Sequence, residues 1–270
     1  MSPDNEYVLG TNTDEVMRLG IQHRAWRPNV LSAWRQAGFS SGQTLMDVGC
    51  GPGYATLDLA EIVGPTGRVV AIDKSRRFLD VLDTSTRQRG ITNVSVHELD
   101  LDAAELPDVQ ADGAWCRWVL TFVAQPREVL ERVCGAIKPG GILVIHEYFD
   151  YSTWRTAPRC VEVEEFVSAV MASWRATGGE PDVGLVLPQW LRNLGFDIVT
   201  RPIIDIVPPA DQMWLWLRTF MQSGRHRLVD TGYLSPARAE AIWNAVVERE
   251  QKPGTLMITP GVIELTAIRR

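Results

Sequence analysis

The residues of this chain with the clearest chemical purpose lie in one short segment, positions 45–54. Asp47 stands two residues before the first of three alternating glycines, Gly49, Gly51 and Gly53. Because glycine has no Cβ atom, the backbone can turn sharply there and lie against a ligand. An apolar stretch precedes this turn and an amphipathic run follows it, so the turn's amides meet a helix N-terminus, which favours negatively charged groups. The segment predicts a site for a nucleotide-like molecule.

A second carboxylate follows the next apolar stretch. The stretch over 67–72 predicts a strand that leads into Asp73, at the spacing where an α/β nucleotide-binding fold places an acid against a ribose diol. A carboxylate gains about 1.5–3 kcal/mol from each hydrogen bond that a hydroxyl donates to it. Asp73 is therefore the strongest candidate for holding a sugar.

The elements that must position these residues follow from the pattern of apolar stretches. Stretches that predict strands recur along the chain with helical stretches between most of them, over 45–48, 67–72, 94–99, 112–120, 141–147, 196–207 and 255–268. This alternation predicts an α/β fold. Ligands of open α/β sheets bind outside the carboxyl ends of the strands, which is where both carboxylates stand.

The order acidic-x-Gly-x-Gly-Pro-Gly over 47–53 resembles the first motif of the class I S-adenosylmethionine-dependent methyltransferases. The resemblance extends over residues 40–207 and 255–268, and includes Pro-Gly-Gly at 139–141. It implies a doubly wound, mostly parallel seven-stranded sheet, a Rossmann-like methyltransferase fold, with S-adenosylmethionine as cofactor. A dinucleotide fingerprint needs a third glycine where Tyr54 stands, which argues against a nicotinamide-dependent oxidoreductase.

The resemblance also implies roles for particular residues. Asp47 is expected to order the glycine turn and neutralise the methionine ammonium, although it can also be a strand-end turn residue. Asp100 is expected near the adenine amino group or as a turn cap, and Lys74 along the adenine or in solvent. Backbone groups around Arg117 are expected to bind the methionine portion. The expected cofactor-binding residues are Asp47, Gly49, Gly51, Gly53, Asp73, Lys74, Asp100, Leu101, Arg117 and Gln22.

Titratable side chains cluster at the end of the fifth expected strand, over 146–151. Methyl transfer requires a nucleophile aligned at about 3–3.5 Å and, for some acceptors, a base. His146 and Tyr148 are the candidates for base or orienting group, whereas Glu147 can be salt-bridged or solvent-facing. Methylation of carbon, nitrogen and oxygen cannot be separated from the sequence. The alternative function is a S-adenosylmethionine-binding regulatory or interaction protein without transfer activity.

Ten tryptophans in 270 residues favour an aromatic acceptor pocket. Aromatic walls suit a flat, apolar or cationic small molecule, such as an aromatic or heteroaromatic metabolite of a specialised pathway. The alternative is that the tryptophans fill the core and that His23, on an apolar stripe, is a core histidine. The expected substrate-binding residues are Trp118, Trp154, Trp190, Trp214, His23 and Tyr7.

The chain is expected to divide into three parts. Residues 1–38 predict an N-terminal helical lid, interrupted at Pro28. The cofactor-binding core is expected over 39–207 and 255–270, and an insert over 208–254 carries two amphipathic stretches that predict a helical cap. Lid and insert together are expected to cover the site.

Composition limits the classes of partner. A net charge of −6 without a basic block makes nucleic acid an unexpected partner. The four cysteines contain no Cys-x-x-Cys pair and the four histidines are scattered, so neither a disulfide framework nor a metal site is predicted. No secretory signal and no apolar run of about 18 residues is visible. We therefore expect a cytoplasmic protein without a membrane partner, and the sequence leaves room for a homodimer.

Overall fold

A computed structural model describes residues 11–270 as an α/β fold. In chain order the strands are β1 (Thr44–Val48), β2 (Arg68–Asp73), β3 (Val94–Glu98), β4 (Ala111–Arg117), β5 (Ile137–Asp150), β6 (Arg155–Ala157), β7 (Phe196–Ile203), β8 (Ile206–Val207), β9 (Leu256–Ile258) and β10 (Gly261–Arg269). The helices are α1 (Thr13–Ala37), α2 (Tyr54–Val63), α3 (Arg76–Arg89), α4 (Pro126–Gly135), α5 (Val161–Ala176), α6 (Leu187–Asn193), α7 (Gln212–Asp230) and α8 (Pro236–Gln251).

Seven strands form the main sheet, in the order β3-β2-β1-β4-β5-β10-β7. Neighbouring strands are parallel except that β10 runs antiparallel to both β5 and β7. The doubly wound, mostly parallel seven-stranded sheet is therefore confirmed. The strand order reverses between β1 and β4, and such a switch point opens a crevice beyond the strands' carboxyl ends. β2 ends there at Asp73 and β4 at Arg117.

The space around the glycine turn explains two of its glycines. Gly49 has a φ of 68°, and a Cβ atom there would lie 2.3 Å from Val119 Cγ2. Gly53 has a φ of 86° at the start of α2, where a Cβ atom would lie 2.3 Å from Leu82 Cδ1. A side chain at either position would be both strained and obstructed. Next to Gly51, by contrast, a Cβ atom would meet no heavy atom within 4 Å, so a ligand can approach the turn there.

The last two expected strands differ in extent from the structure. The stretch 196–207 is not one strand, because Ile206–Val207 forms β8 in a separate three-stranded sheet with β6 and β9. Leu256–Ile258 likewise belongs to that small sheet and not to β10. Asp205 and Thr259 are hydrogen-bonded to each other where the two segments leave the main sheet. The Asp205 amide donates to Thr259 Oγ1 at 2.9 Å, and the Thr259 amide donates to the Asp205 carbonyl oxygen at 3.0 Å.

Helix α1 is continuous, although the sequence predicted a break at Pro28. Trp26 and Val30, on either side of the proline, are completely buried. Their packing keeps the two halves in line despite the backbone hydrogen bond that proline removes. Helix α1 also packs against α7, where Trp216 Nε1 donates to Gln22 Oε1 at 3.0 Å. The division of the chain into lid, core and insert remains a prediction.

Candidate cofactor and substrate site

One cavity opens at the carboxyl edge of the sheet, and its lining contains two chemically different sets of residues. The first set, called the acidic half below, comprises Asp47, Asp73, Asp100, Asp102, Gly49 and Gly51. The second set, called the aromatic half, comprises Trp118, Phe122, Tyr148, Trp174 and Phe220. Helix α1 adds Arg18, Leu19 and Gln22 to the lining.

Asp73 is buried and faces the glycine turn from the end of β2. Its Oδ2 accepts a hydrogen bond from the Gly51 amide at 2.8 Å, and its Oδ1 accepts one from the Ser75 amide at 2.8 Å. Burial raises the pKa of this carboxyl group, and the two amides partly offset the effect. Because a carboxylate oxygen has two lone pairs, each oxygen can accept a further hydroxyl. The arrangement suits a vicinal diol.

Asp47 lies deeper, with 2% of its surface exposed. Its Oδ2 accepts a hydrogen bond from Thr56 Oγ1 at 2.6 Å. Burial raises the pKa of Asp47 to about 6, against the lowering effects of that hydrogen bond and of the Arg117 charge. A carboxylate held in such a site is stabilised by a further cation, so Asp47 is suited to an ammonium group.

Arg117 supplies an unpaired donor to the same cavity. Its Nη1 is buried and has no hydrogen-bond partner among the described residues, and burial lowers the pKa of the guanidinium to about 10. Behind it, Nη2 lies 3.4 Å from His23 Nδ1, and His23 Nε2 lies 3.0 Å from Asp58 Oδ2. His23 does not line the cavity, and burial lowers its pKa. It therefore supports Arg117 from behind, where a substrate contact was expected.

Gln22 lines the cavity, and its neighbours settle which end of its amide they occupy. Its Oε1 accepts from Arg18 Nη1 at 3.0 Å and from Trp216 Nε1 at 3.0 Å. Both of these groups are donors only, so the amide cannot be reversed. No partner of the Gln22 Nε2 group is found within residues 11–270. Two N–H groups therefore remain for a ligand.

Glu147, to which the sequence assigned no site role, organises the turn after β4. The fully buried carboxylate accepts hydrogen bonds of 2.7 Å from the amides of Val119 and Leu120 and from Thr121 Oγ1. Burial raises its pKa to about 7. The turn also holds Trp118 at a φ of 51°, a strained value for a tryptophan. Glu147 thus fixes the backbone that carries Trp118 and Val119 to the cavity; a lone acid in an apolar strand was the available signal.

The aromatic half is a set of rings in mutual contact. The Trp118 ring stacks between Tyr148 and Trp216, with centroid distances of 5.4 and 5.5 Å. Trp174 meets Phe122 at 4.8 Å, edge to face. The Tyr148 hydroxyl makes no hydrogen bond with residues 11–270, and burial raises its pKa well above the ordinary value. Tyr148 is therefore a neutral phenol at physiological pH and can orient a ligand, but it is a poor base. Sequence reasoning missed Phe122, Trp174 and Phe220.

His146 lies outside the cavity, which corrects its expected role as a base. The ring is completely buried, with centroids 4.9 Å from Trp115 and 5.9 Å from Trp26. Its Nε2 lies 3.0 Å from Glu264 Oε2, and burial lowers its pKa. His146 precedes Tyr148 by two residues on the same face of β5, so it lies further from the strand end than Tyr148, which lines the cavity.

Three of the four tryptophans expected to bind substrate are also elsewhere. Trp154 and Trp214 are completely buried in the main core, and Trp154 Nε1 points to Met257 Sδ at 3.4 Å. Trp190 packs against a different hydrophobic cluster. Of these four tryptophans, only Trp118 lines the cavity. Tyr7 lies outside the described residues.

The remaining expected cofactor residues lie at or next to the cavity. Lys74 and Leu101 line it, and Gly53 stands directly behind the turn. Asp100 both lines the cavity and caps a turn, since its Oδ1 accepts from the Asp102 amide at 3.0 Å. Among residues 11–270, no cluster of three His, Cys, Asp or Glu side chains is placed to hold a metal, and no helix is long and apolar enough to cross a membrane.

Comparison with known proteins places this architecture in a family. A family model described as a methyltransferase domain matches residues 39–177. A demethylmenaquinone methyltransferase of Geobacillus stearothermophilus is 32% identical over 126 residues, which are 47% of this chain and 53% of that protein. An uncharacterized 37.1 kDa transposon protein of Streptomyces fradiae is 30% identical over 206 residues, 75% of this chain and 56% of that protein. The matches thus span about half the length of these relatives.

A solved structure agrees in fold. Phosphoethanolamine N-methyltransferase 2 of Haemonchus contortus, in complex with S-adenosyl-L-methionine, aligns with a TM-score of 0.56 at 17% identity, covering 90% of this chain and 52% of that one. The residues present here fit the same cofactor, because the open side of Gly51, the Asp73 carboxylate and the unpaired Arg117 Nη1 face one cavity. The chain therefore belongs to the class I methyltransferases, whose cofactor is S-adenosylmethionine.

Proposed function

We propose that this chain transfers a methyl group from S-adenosylmethionine to a small molecule with a flat, apolar body, an aromatic or heteroaromatic metabolite. The observation that carries the proposal is that the acidic half and the aromatic half line one cavity. Two chemically distinct linings suit two ligands, a charged cofactor and an apolar acceptor. When bound, the cofactor supplies a sulfonium methyl group that is already activated for transfer.

Each half has a proposed task. Asp73 binds the ribose hydroxyls, and Asp47 binds the methionine ammonium. The rings of Trp118, Trp174 and their neighbours hold the acceptor and exclude water. Holding the acceptor in this way aligns its nucleophilic atom with the methyl group. Tyr148 orients the acceptor through its hydroxyl. Residues of α1 and α7 that reach the cavity support the proposal that the N-terminal helix and the insert act as its cap.

The relative named a demethylmenaquinone methyltransferase supports an acceptor built on a ring system. The chemistry of the aromatic half is in agreement, because stacked and edge-on rings bind planar groups well.

The test is incubation of the protein with methyl-labelled S-adenosylmethionine and a panel of indoles, phenols and amines, with mass gain as the readout. The matched variants are Asp73→Ala and Asp80→Ala, since Asp80 is exposed on α3 and pairs with Arg76. We expect label transfer in the wild type and in Asp80→Ala and its loss in Asp73→Ala. Cofactor binding by calorimetry without transfer to any compound would favour the regulatory alternative, and binding of NAD in its place would refute the family's cofactor here.

A further inference from the structure

The polar groups that reach the aromatic side of the cavity share one property, which is that they are hydrogen-bond donors without partners. The Gln22 Nε2 group can only donate, and it has no partner among the described residues. The Tyr148 hydroxyl is unpaired as well, and 6% of that residue is exposed. A donor that a ligand covers without offering an acceptor is costly, so a ligand that brings an oxygen acceptor gains most here.

Charge points in the same direction. Arg18 lines the cavity, held by Glu15 through contacts of 2.6 and 2.7 Å, and its guanidinium lies 5.6 Å from the Phe220 ring centroid. The charges of Arg18 and Arg117 both act on the Tyr148 hydroxyl, and the charge of Glu147 opposes them. Positive charge of this kind disfavours a protonated amine and favours an anion.

Within the cavity lining, all the carboxylates belong to the acidic half. The acids in the lining are Asp47, Asp73, Asp100 and Asp102. Glu147 is the acid beside Tyr148 in sequence, but its oxygens are taken up by the turn over 119–121. Neither an acid nor a histidine in the described lining is therefore left to compensate a cationic acceptor or to deprotonate an amine in the aromatic half.

We infer that the acceptor carries an ionisable hydroxyl, as in a phenol or an enol, whose oxygen lies against the Tyr148 hydroxyl with the Gln22 amide close by. The inference rests on the proposed function and names its substrate class. The acceptor's hydroxyl proton leaves to water, and the neighbouring donors stabilise the resulting oxyanion. Its oxygen, or the ring carbon next to it, then forms the new bond to the methyl carbon, while the electron pair of the broken carbon–sulfur bond remains on sulfur. When a ring carbon reacts, its hydrogen is then lost to water as a proton and the oxygen regains a proton, which restores the aromatic ring.

Three probes of similar shape test the inference. Naphthol carries a hydroxyl, naphthylamine carries an amino group, and naphthalene carries neither. Binding is measured by calorimetry with protein saturated with S-adenosylhomocysteine. We expect naphthol to bind about tenfold or more tightly than the other two, the effect of a well-placed hydrogen bond. Tyr148→Phe should abolish that preference and leave naphthalene affinity unchanged. The fold is expected to survive, because the hydroxyl has no partner within the described chain.

The matched control is Tyr233→Phe, which removes a hydroxyl from a residue outside the cavity lining and should leave the preference intact. Naphthol binding no better than naphthalene would overturn the inference. A screen that finds transfer only to amines would also overturn it while the proposed function stands. Naphthol binding that depends on Tyr148, without transfer to any acceptor, would support the binding inference and refute the proposed function.

Discussion

The two halves of the cavity are built in different ways. In the acidic half, side chains at strand ends are bound to backbone amides, as Asp73 is to Gly51 and Ser75 at 2.8 Å. In the aromatic half, rings from β5, α5, α7 and the turn after β4 are held by one another, as Trp174 is by Tyr148 and Phe220 at 6.1 and 6.2 Å. Polar groups fixed by the backbone bind without rearranging, whereas packed rings serve both stability and ligand binding.

This difference separates the consequences of substitution. A change in the acidic half should alter ligand affinity and leave most of the packing intact. A change in the aromatic half should alter the free energy of unfolding and acceptor binding together, because the same rings do both. Four measurements test the distinction.

The largest effect is expected for Trp174→Ala compared with Trp154→Ala. Both indoles are buried, and truncating a buried tryptophan costs roughly 3–5 kcal/mol of unfolding free energy. Only Trp174 lines the cavity, so only its variant should also raise the KM for the acceptor, while cofactor affinity persists in both. Urea denaturation and steady-state kinetics provide the measurements. Equal acceptor KM values in the two variants would show that the aromatic half is core and nothing more.

For the acidic half, Asp73→Ala should reduce cofactor affinity more than a hundredfold. Two charged hydrogen bonds from the ribose hydroxyls are lost, which together are worth roughly 3 kcal/mol or more. Calorimetry with S-adenosylmethionine gives the affinity, and a thermal melt tests the fold. Unchanged affinity in a folded variant would remove Asp73 from the site and with it the main argument for the acidic half.

A smaller, pH-dependent effect is expected at Asp47, whose pKa burial raises to about 6. The ionised form is the one that can hold an ammonium group, so cofactor affinity should be nearly constant above about pH 7 and fall by up to about tenfold per pH unit below about pH 6. Thr56, Arg117 and Asp73 are the groups that act on Asp47, and Asp73 titrates too. Asp47→Asn should therefore bind weakly at neutral pH and lose most of the pH dependence; an identical slope in wild type and variant would contradict this role.

The smallest effect on turnover is expected below the cavity, at the His146 and Glu264 pair. Burial alone would raise the pKa of Glu264, but hydrogen bonds from His146 and Arg201 hold it at about 2. Because this pKa lies below the ordinary 4.5, the carboxylate stabilises the fold fully above about pH 4.5 and loses that effect as pH falls toward 2. Glu264→Gln should thus be less stable than wild type at neutral pH, with a difference that shrinks on acidification, as urea denaturation would show. Tyr148→Phe, but not Glu264→Gln, should lower turnover of the folded enzyme.

The acidic half was predictable because its parts are local. A strand, a turn that needs glycine and a helix follow one another over residues 44–63, and one further strand brings Asp73 to the same edge. The aromatic half was not predictable in this way. Trp118 and Trp190 are both tryptophans in an apolar setting, yet one lines the cavity and the other packs in a separate cluster. Residue type predicts burial, but it does not say what the ring is buried against.

The sequence by itself determined the sheet, the glycine turn and the carboxylates at its edge, because backbone conformation and strand-end position follow from short-range order. Only the tertiary structure decided that Phe122, Tyr148 and Phe220 meet around Trp174, and that His146 does not line the cavity. Those contacts join residues far apart in the chain, and they depend on how helices cross and which rotamers fit. Hydrophobic periodicity predicts that a helix has a buried face, but the partner of that face is chosen by the packing of the whole chain.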